Sequence, residues 1–409
     1  MQRGTNLGRL GDFNQAVIFE SIRRALDGVS RVELAESTGL SPQTISNVVR
    51  RLLDEGLVRE DRTIVSGPGK PRTVLELEVN RQLAVGIHLD PAGITQVMLN
   101  LRGEVLHSKR HLTSAVADPE STVAQMAEAV EELIKESGQP RERVVGVGVV
   151  VPGPMDLEGG HVTAPPLLDG WTKVEFVKPL ASKLGLNVIL EKDTIAASIA
   201  EVWNGKNPED EKNFVFVYVG AGIGVGMVIN GEIVRGVSNN AGEIGHFSVG
   251  EETGLCCCGR KDCLAGATSF ENIARKAAEA GLELGIAQDA DVAGRARGMM
   301  RLAELADEGN EVAIGLLRDF AGRTADMVAQ LINALDVDKV IYGGPYWPLI
   351  SDHVLSGAAE IINQRFNAKD VHSISVVDSE LGPEVAAIGG GCAILDANLS
   401  PKASVLLLN

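Results

Sequence analysis

The 409-residue sequence predicts an α/β protein: an N-terminal winged helix-turn-helix followed by a body of two similar lobes with a cleft between them. Three observations carry this expectation. Three short helical patterns near the start lead into two strands joined by a Gly/Pro loop. From Leu83 onward, a strand–meander–helix–strand pattern occurs twice. Between the two cycles and the last helices, Glu243-Ile-Gly-His246 and the cysteines at 256, 258 and 263 place four metal-type ligands within eighteen residues.

Residues 14–60 predict the helices. Val17 or Ile18, Ile22, Ala25 and Leu26 share one face of the first, which Gly28 ends. Ser30-Arg-Val-Glu33 is a capping box that opens the second, and Gly39-Leu40 makes the turn. Ser41 caps the third, with Pro42 at its first position, where a missing N–H costs nothing. Its Ile45, Val48, Val49 and Leu52 point inward, while Gln43, Thr44, Ser46, Asn47 and Arg50 point outward without an acidic residue among them. Amide, hydroxyl and guanidinium groups on such a face suit base edges and phosphates of double-stranded DNA. Residues 57–79 read as two strands, and the loop between them carries Lys70 and Arg72, like the basic wing that contacts phosphates or a minor groove.

The body follows in order. Leu83–Leu89, Ile94–Leu101 and Glu104–His107 form an antiparallel meander, and Asp118-Pro119 caps a helix burying Val123, Met126, Val130, Leu133 and Ile134. Val144–Val151 is a continuous apolar run of the buried-strand type. Val188–Glu191 is another strand, with Asp193 at its carboxyl end and a helix from Thr194 to Trp203. The second cycle runs from Phe214–Val219 through Gly220, Gly222, Gly224 and Gly226 to Ile229, then helices across 270–335 and a strand at Lys339–Tyr342. The expected domains are 1–80, a first lobe of 81–194 plus about 382–409, and a second lobe of 195–381.

Charge separates the parts. The net charge is −17, yet residues 1–80 hold eleven basic and eleven acidic residues, leaving 27 basic and 44 acidic for the rest. A neutral module joined to an acidic one indicates two different jobs. No eighteen-residue apolar run suggests a membrane span, and MQRGTNLGRLGDFNQ lacks a signal peptide's apolar core, so a cytoplasmic protein is expected. Four of five cysteines crowd into 256–263, which fits a metal site in a reducing compartment better than a disulfide framework. Three thiolates and an imidazole are the donor set that Zn²⁺ prefers.

Together these residues resemble the ROK family, which holds sugar kinases and sugar-responsive repressors on an actin-like two-lobed fold. The resemblance is carried by Pro152-Gly153-Pro154, Gly170-Trp171, Asp193 with its Ala-rich helix, Glu243-x-x-His246 and Cys256-x-Cys258-Gly259-x-x-x-Cys263. It covers essentially the whole chain, and residues 1–80 look like the DNA-binding extension of the repressor branch. It implies a structural zinc on His246, Cys256, Cys258 and Cys263, with Cys257 as an extra thiol. Asp262 stands where the family has glycine, and its tolerance of left-handed backbone should preserve the turn.

The resemblance also implies a sugar site built from Asp193, Glu243 and His246, beside Gly153. Three positions depart from the family: Lys192 and Leu167 replace asparagines, and Ala265 replaces a glutamate. They imply a different sugar, a larger oligosaccharide, or a phosphorylated one met by Lys192. The first phosphate loop is disturbed as Asp90-Pro91-Ala92-Gly93-Ile94-Thr95, where Pro91 removes a backbone donor. In the second, Ala221 replaces the usual hydroxyl residue. The expectation is therefore a regulator that binds no ATP, with no catalytic residue and Asp193 as a vestigial base. It would bind operator DNA as a homodimer or homotetramer under control of a carbohydrate. The alternative is a ROK-type sugar kinase phosphorylating a hexose.

Overall fold

The computed structural model describes residues 7–64, 71–91, 93–112, 118–165, 171–205, 212–220, 222–256, 258–285 and 292–399. Its first helix, α1 (Leu7–Arg24), begins before residue 14 and ends before the expected apolar pair. Ala25 and Leu26 lie beyond it, and Leu26 is 71% exposed. The reason is Gly28. Its φ of +74° turns the chain, and a Cβ there would fall 2.5 Å from Val74 Cγ1, so the backbone itself meets the sheet. Leu26 is left on the outside of that turn.

The short strand β1 (Val29–Ser30) leads into α2 (Arg31–Thr38), where both bonds of the Ser30–Glu33 capping box form. Gly39 closes α2 in the left-handed region, at φ +68°. In α3 (Pro42–Asp54), the Ser41 hydroxyl accepts from Thr44 N at 3.2 Å, and Pro42 opens the helix. Ile45, Val48, Val49 and Leu52 are buried against Ile18, Phe19, Ile22 and Leu34. Strands β2 (Val58–Ile64) and β3 (Arg72–Leu77) complete a three-stranded sheet of order β1-β3-β2. Helix-turn-helix and wing strands are both present. Lys70, at the expected wing tip, lies outside the described residues.

In the body, β4 (Leu83–Asp90), β5 (Gly93–Leu99) and β6 (Val105–Leu112) form the antiparallel meander. Asp118 caps α4 (Pro119–Ser137), which returns the chain to β7 (Val144–Val151), parallel to β4. A small sheet of β8 (Met155–Asp156), β9 (His161–Thr163) and β10 (Lys173–Glu175) precedes α5 (Val177–Leu184). Then β11 (Asn187–Lys192), parallel to β7, runs straight into α6 (Asp193–Asn204).

The second cycle repeats the plan with β12 (Phe214–Val219), β13 (Ile223–Ile229) and β14 (Glu232–Ile233). Helices α7 (Leu264–Ala267), α8 (Phe270–Glu279), α9 (Val292–Asp307) and α10 (Glu311–Leu335) follow. Strand β15 (Lys339–Gly343), helix α11 (Ser351–Arg365), strand β16 (Ser375–Asp378) and helix α12 (Val385–Leu399) complete the described residues. The sheet orders are β11-β7-β4-β5-β6 and β14-β13-β12-β15-β16. Each pairs a three-strand meander with two parallel strands, which is the repeat the sequence pattern predicts.

Helix α12 is why the lobes pack so closely. A Cβ on Gly389 would lie 1.7 Å from Ala196 O of α6, and one on Gly86 would lie 1.7 Å from Ala387 O. Only glycine lets those backbones touch. One apolar cluster then runs from the helix-turn-helix core through α6 and α12, so the N-terminal module shares its core with the body.

Candidate functional site

The recognition face is exposed and lightly committed. Gln43, Asn47 and Arg50 are exposed, while Thr44 and Ser46 are half-buried. Ser46 spends its hydroxyl on Pro42 O at 2.8 Å, Thr44 Oγ1 lies 2.9 Å from Ser41 Oγ, and Gln43 Nε2 donates to Asn47 Oδ1 at 3.1 Å. The wing strands carry ion pairs: Arg59 and Arg62 with Glu76 at 2.6 and 2.7 Å, and Arg31 with Glu60 at 2.8 Å. Arg50 and Arg72 form no ion pair among the described residues. Unpaired guanidinium groups of this kind suit a phosphate.

At the other side of this module, α1 is clamped to α6. Arg23 Nη1 donates to Trp203 O at 3.0 Å, and its guanidinium carbon lies 4.1 Å from the Trp203 ring centroid. Arg24 donates to Val202 O at 3.1 Å and Gly205 O at 2.9 Å. These are carbonyls that the end of a helix leaves unsatisfied, and the cations suit its negative pole. Glu20 orients both arginines at 2.5–2.7 Å. Burial works against the Glu20 carboxylate, yet Arg23 and Arg24 hold its pKa below the ordinary value. Nothing in the sequence pattern joins residues 180 positions apart.

Helix α6 begins in a cleft of about 660 Å³. Gly153, Lys192, Asp193, Thr194, Tyr218, Glu243 and Cys256 line it, as do His88, Asp90, Arg275 and Arg295. Four expected ligand residues thus meet there, and His246 stands behind Glu243, its Nε2 4.0 Å from Glu243 Oε2. Lys192 is only 3% exposed, and its ammonium already has partners: Glu243 Oε1, at a short contact, and Ala241 O at 3.1 Å. The lysine expected to meet an anion is therefore already tied to the glutamate expected to meet a sugar.

Asp193 does not sit at the cap position of α6. Lys192 takes that place, and the Asp193 carboxylate accepts its neighbour's Thr194 N–H at 2.7 Å. Burial raises its pKa to about 6, opposed chiefly by Lys192. Burial also lowers the His88 pKa, keeping that imidazole neutral. The β4–β5 connection is a tight hairpin: Asp90 pairs directly with Gly93, and Pro91 starts the link. In the β12–β13 turn, Gly220 N–H donates to Gly222 O at 2.9 Å. Leu167, Gly170, Ala221 and Cys257 lie outside the described residues.

The metal-type residues converge. One ligand atom each from His246, Cys256, Cys258 and Cys263 lies within 4.8 Å of all the others. Cys256 Sγ is 3.4 Å from His246 Nδ1, and Cys258 Sγ is 3.5 Å from Cys263 Sγ. This cluster could hold a soft-to-borderline cation. A backbone N–H from Arg260 helps lower the Cys258 thiol to about 7, whereas burial pushes Cys263 up to about 12. Asp262 is not in the left-handed region, which the turn assigns to Gly259 at φ +85°. Asp262 instead binds Arg260 at 2.9 Å and the Ser248 hydroxyl, which together hold its pKa at about 2. Its role is to pin the cysteine loop, a role hidden from a reading of backbone tolerance.

Comparison with known proteins follows this division. The ROK family matches residues 84–395, and the MarR family matches residues 12–63. The xylose repressor of Caldicellulosiruptor bescii is 25% identical over 96% of this chain and 97% of its own. A crystal structure of a ROK family transcriptional regulator, a homologue of the Escherichia coli MLC protein, superposes with a TM-score of 0.75 at 21% identity, covering 96% of this chain and 97% of that one. A ROK family glucokinase from Streptomyces griseus, bound to glucose and AMPPNP, gives 0.63 at 23% identity over 76% of this chain and 98% of its own. At these identities the two structures speak for the fold alone. The glucokinase match covers the smaller share of this chain.

Proposed function

The chain belongs to the ROK family, and on that premise we propose that it is a DNA-binding transcriptional repressor of carbohydrate metabolism whose operator binding is released by a sugar. One observation carries this reading: α6 has its first residues in the cleft and its last carbonyls in the grip of α1. Twelve residues make a rigid link about 18 Å long between the two sites. Arg23 and Arg24 keep the helix-turn-helix in register with it.

A sugar bound between the lobes would contact Asp193 and Glu243 from one side and the β4–β5 hairpin from the other. Closure that turns α6 would turn α1 with it and alter the spacing of two recognition helices in a dimer on a palindromic site. The ligand acts only by preferring one of these arrangements. Gln43, Thr44, Ser46, Asn47 and Arg50 would read the major groove, and Lys70 and Arg72 the adjoining phosphates. The xylose repressor of C. bescii carries the same assignment in its name.

The cluster of His246, Cys256, Cys258 and Cys263 fits zinc. Tetrahedral zinc with Zn–S bonds of about 2.3 Å separates its sulfurs by about 3.8 Å and sulfur from nitrogen by about 3.5 Å. The S···S and S···N contacts seen are 3.5 and 3.4 Å. A bound zinc supplies structural cross-linking. His246 then aligns Glu243, and Glu243 holds Lys192, so the metal end fixes one wall of the cleft.

Phosphoryl transfer is the weaker reading. The Pro91 hairpin and the self-bonded Gly220 turn leave few backbone donors for a triphosphate. The test uses full-length protein with a DNA duplex selected from a random-sequence pool. Sequence-selective binding that a sugar weakens supports the proposal. Sequence-indifferent binding would overturn it, and ATP-dependent phosphorylation of a hexose that Asp193→Asn abolishes would replace it with the kinase reading.

A further inference from the structure

Two hydroxyls in the cleft have no task in the folded chain. Tyr218, next to last in β12, is 3% exposed, and its phenol makes no hydrogen bond among the described residues. Thr194, second in α6, is also 3% exposed, and its Oγ1 is likewise without a partner. Both line the cleft that holds Asp193 and Glu243. A buried polar group left unpaired is costly, and a protein that keeps two of them in the lining of one cavity has a use for them.

Their surroundings define that use. The Tyr218 ring stands edge-on to His88, with centroids 6.5 Å apart, and lies against the glycine turn: a Cβ at Gly220 would fall 2.7 Å from Tyr218 Cε1. Where a kinase would cradle phosphate, this chain presents a phenol. The charges nearby are not arranged for an anion either. Lys192 is spent on Glu243, Arg295 pairs with Glu271 at 2.6 Å, and the carboxylates of Asp90, Asp193 and Glu243 face the same space. Burial, with Asp193 and Asp90 adding to it, raises the Tyr218 pKa well above its ordinary value, so the group stays a neutral O–H donor.

We propose that Tyr218 and Thr194 are specificity-determining residues of the effector site, donating to and accepting from hydroxyls of an uncharged sugar and excluding phosphorylated ones. This rests on the reading of the chain as a sugar-controlled regulator. Hydroxyl groups serve as both donor and acceptor, which matches a polyol and wastes nothing on a phosphate. A site built to bond a ligand hydroxyl also rejects analogues that lack it.

The experiment compares wild type, Tyr218→Phe and Thr194→Val by thermal shift and calorimetry. The probes are D-xylose, D-glucose, N-acetyl-D-glucosamine and the 6-phosphates of the last two. The expected result is binding of a neutral sugar by wild type and at least about a tenfold loss in Tyr218→Phe. The ligand-free melting temperature of that variant should be unchanged or higher, because an unpaired buried hydroxyl has been removed. A purely structural tyrosine would give the opposite, a lower melting temperature with sugar affinity intact. That outcome overturns the proposal, as does wild-type binding confined to the 6-phosphates. A wild type that binds none of the five removes the effector reading itself, and this subsite falls with it.

Discussion

The recognition face of α3 and the cleft at the start of α6 are both polar, and they are built in opposite ways. On α3 Gln43, Asn47 and Arg50 are exposed, the first two bond to each other at 3.1 Å, and Arg50 forms no ion pair among the described residues. In the cleft it is the cations that are already matched, Lys192 to Glu243, Arg275 to Glu279 at 2.5 Å, and Arg295 to Glu271. What the cleft leaves without a hydrogen bond among the described residues are the hydroxyls of Tyr218 and Thr194. The two surfaces suit two different kinds of partner. A polyanion is met by free cations on a surface, and a small neutral ligand by prepaired charges that fix a pocket's shape.

Four perturbations test this contrast. The largest effect is expected at the metal end of the cleft. Replacing Cys258 and Cys263 together by serine removes two of four ligands, and zinc affinity should fall by more than about 100-fold, read by metal analysis after competition with a chelator. Sugar affinity should fall with it, because His246 no longer aligns Glu243.

On the recognition face, Arg50→Ala with Arg72→Ala should weaken operator binding by about 10–100-fold and lower the salt slope by about 1–2, with no change in melting temperature. Unchanged DNA affinity would move the interface elsewhere. In the cleft, Lys192→Met leaves Glu243 facing the cavity without its partner. Sugar affinity should drop by roughly tenfold, with about 1–3 kcal/mol lost in urea unfolding, while ligand-free operator binding persists.

The smallest effect is a pH dependence. Asp193, with its pKa raised to about 6, accepts sugar hydroxyls as the carboxylate, so affinity should rise through pH 6 and level off above it. Asp193→Asn should flatten the profile. Ligand-free stability moves the other way. Between about pH 4 and 6 the folded state keeps a proton that the unfolded chain has released, so this group's contribution to stability declines as pH rises across that window.

Local chemistry made much of this legible in the chain itself. The Ser30–Glu33 capping box, Pro42 at the head of α3, and the ligand spacing of His246, Cys256, Cys258 and Cys263 are set within a few residues, and each forms as expected. The repeated strand order was readable because buried parallel strands are continuously apolar. Contacts between distant segments were not. Lys192 meets Glu243 across 51 positions, Arg23 meets Trp203 across 180, and Tyr218 reads as one more core aromatic in Phe214–Val219. Even close to home, packing overruled pattern. Leu26 fits an apolar helix face in sequence, yet Gly28 takes the backbone onto β3 and leaves it outside.

In the proposed mechanism α6 couples the cleft to the recognition helices. Fluorescence anisotropy of a selected operator duplex, with and without a saturating neutral sugar, measures it in full-length protein. Wild type should lose at least about tenfold in operator affinity when sugar is added. Arg24→Ala, which frees two carbonyls at the end of α6, should bind the same sugar yet lose most of that response. Wild-type protein that binds sugar with its operator affinity unchanged would contradict the account.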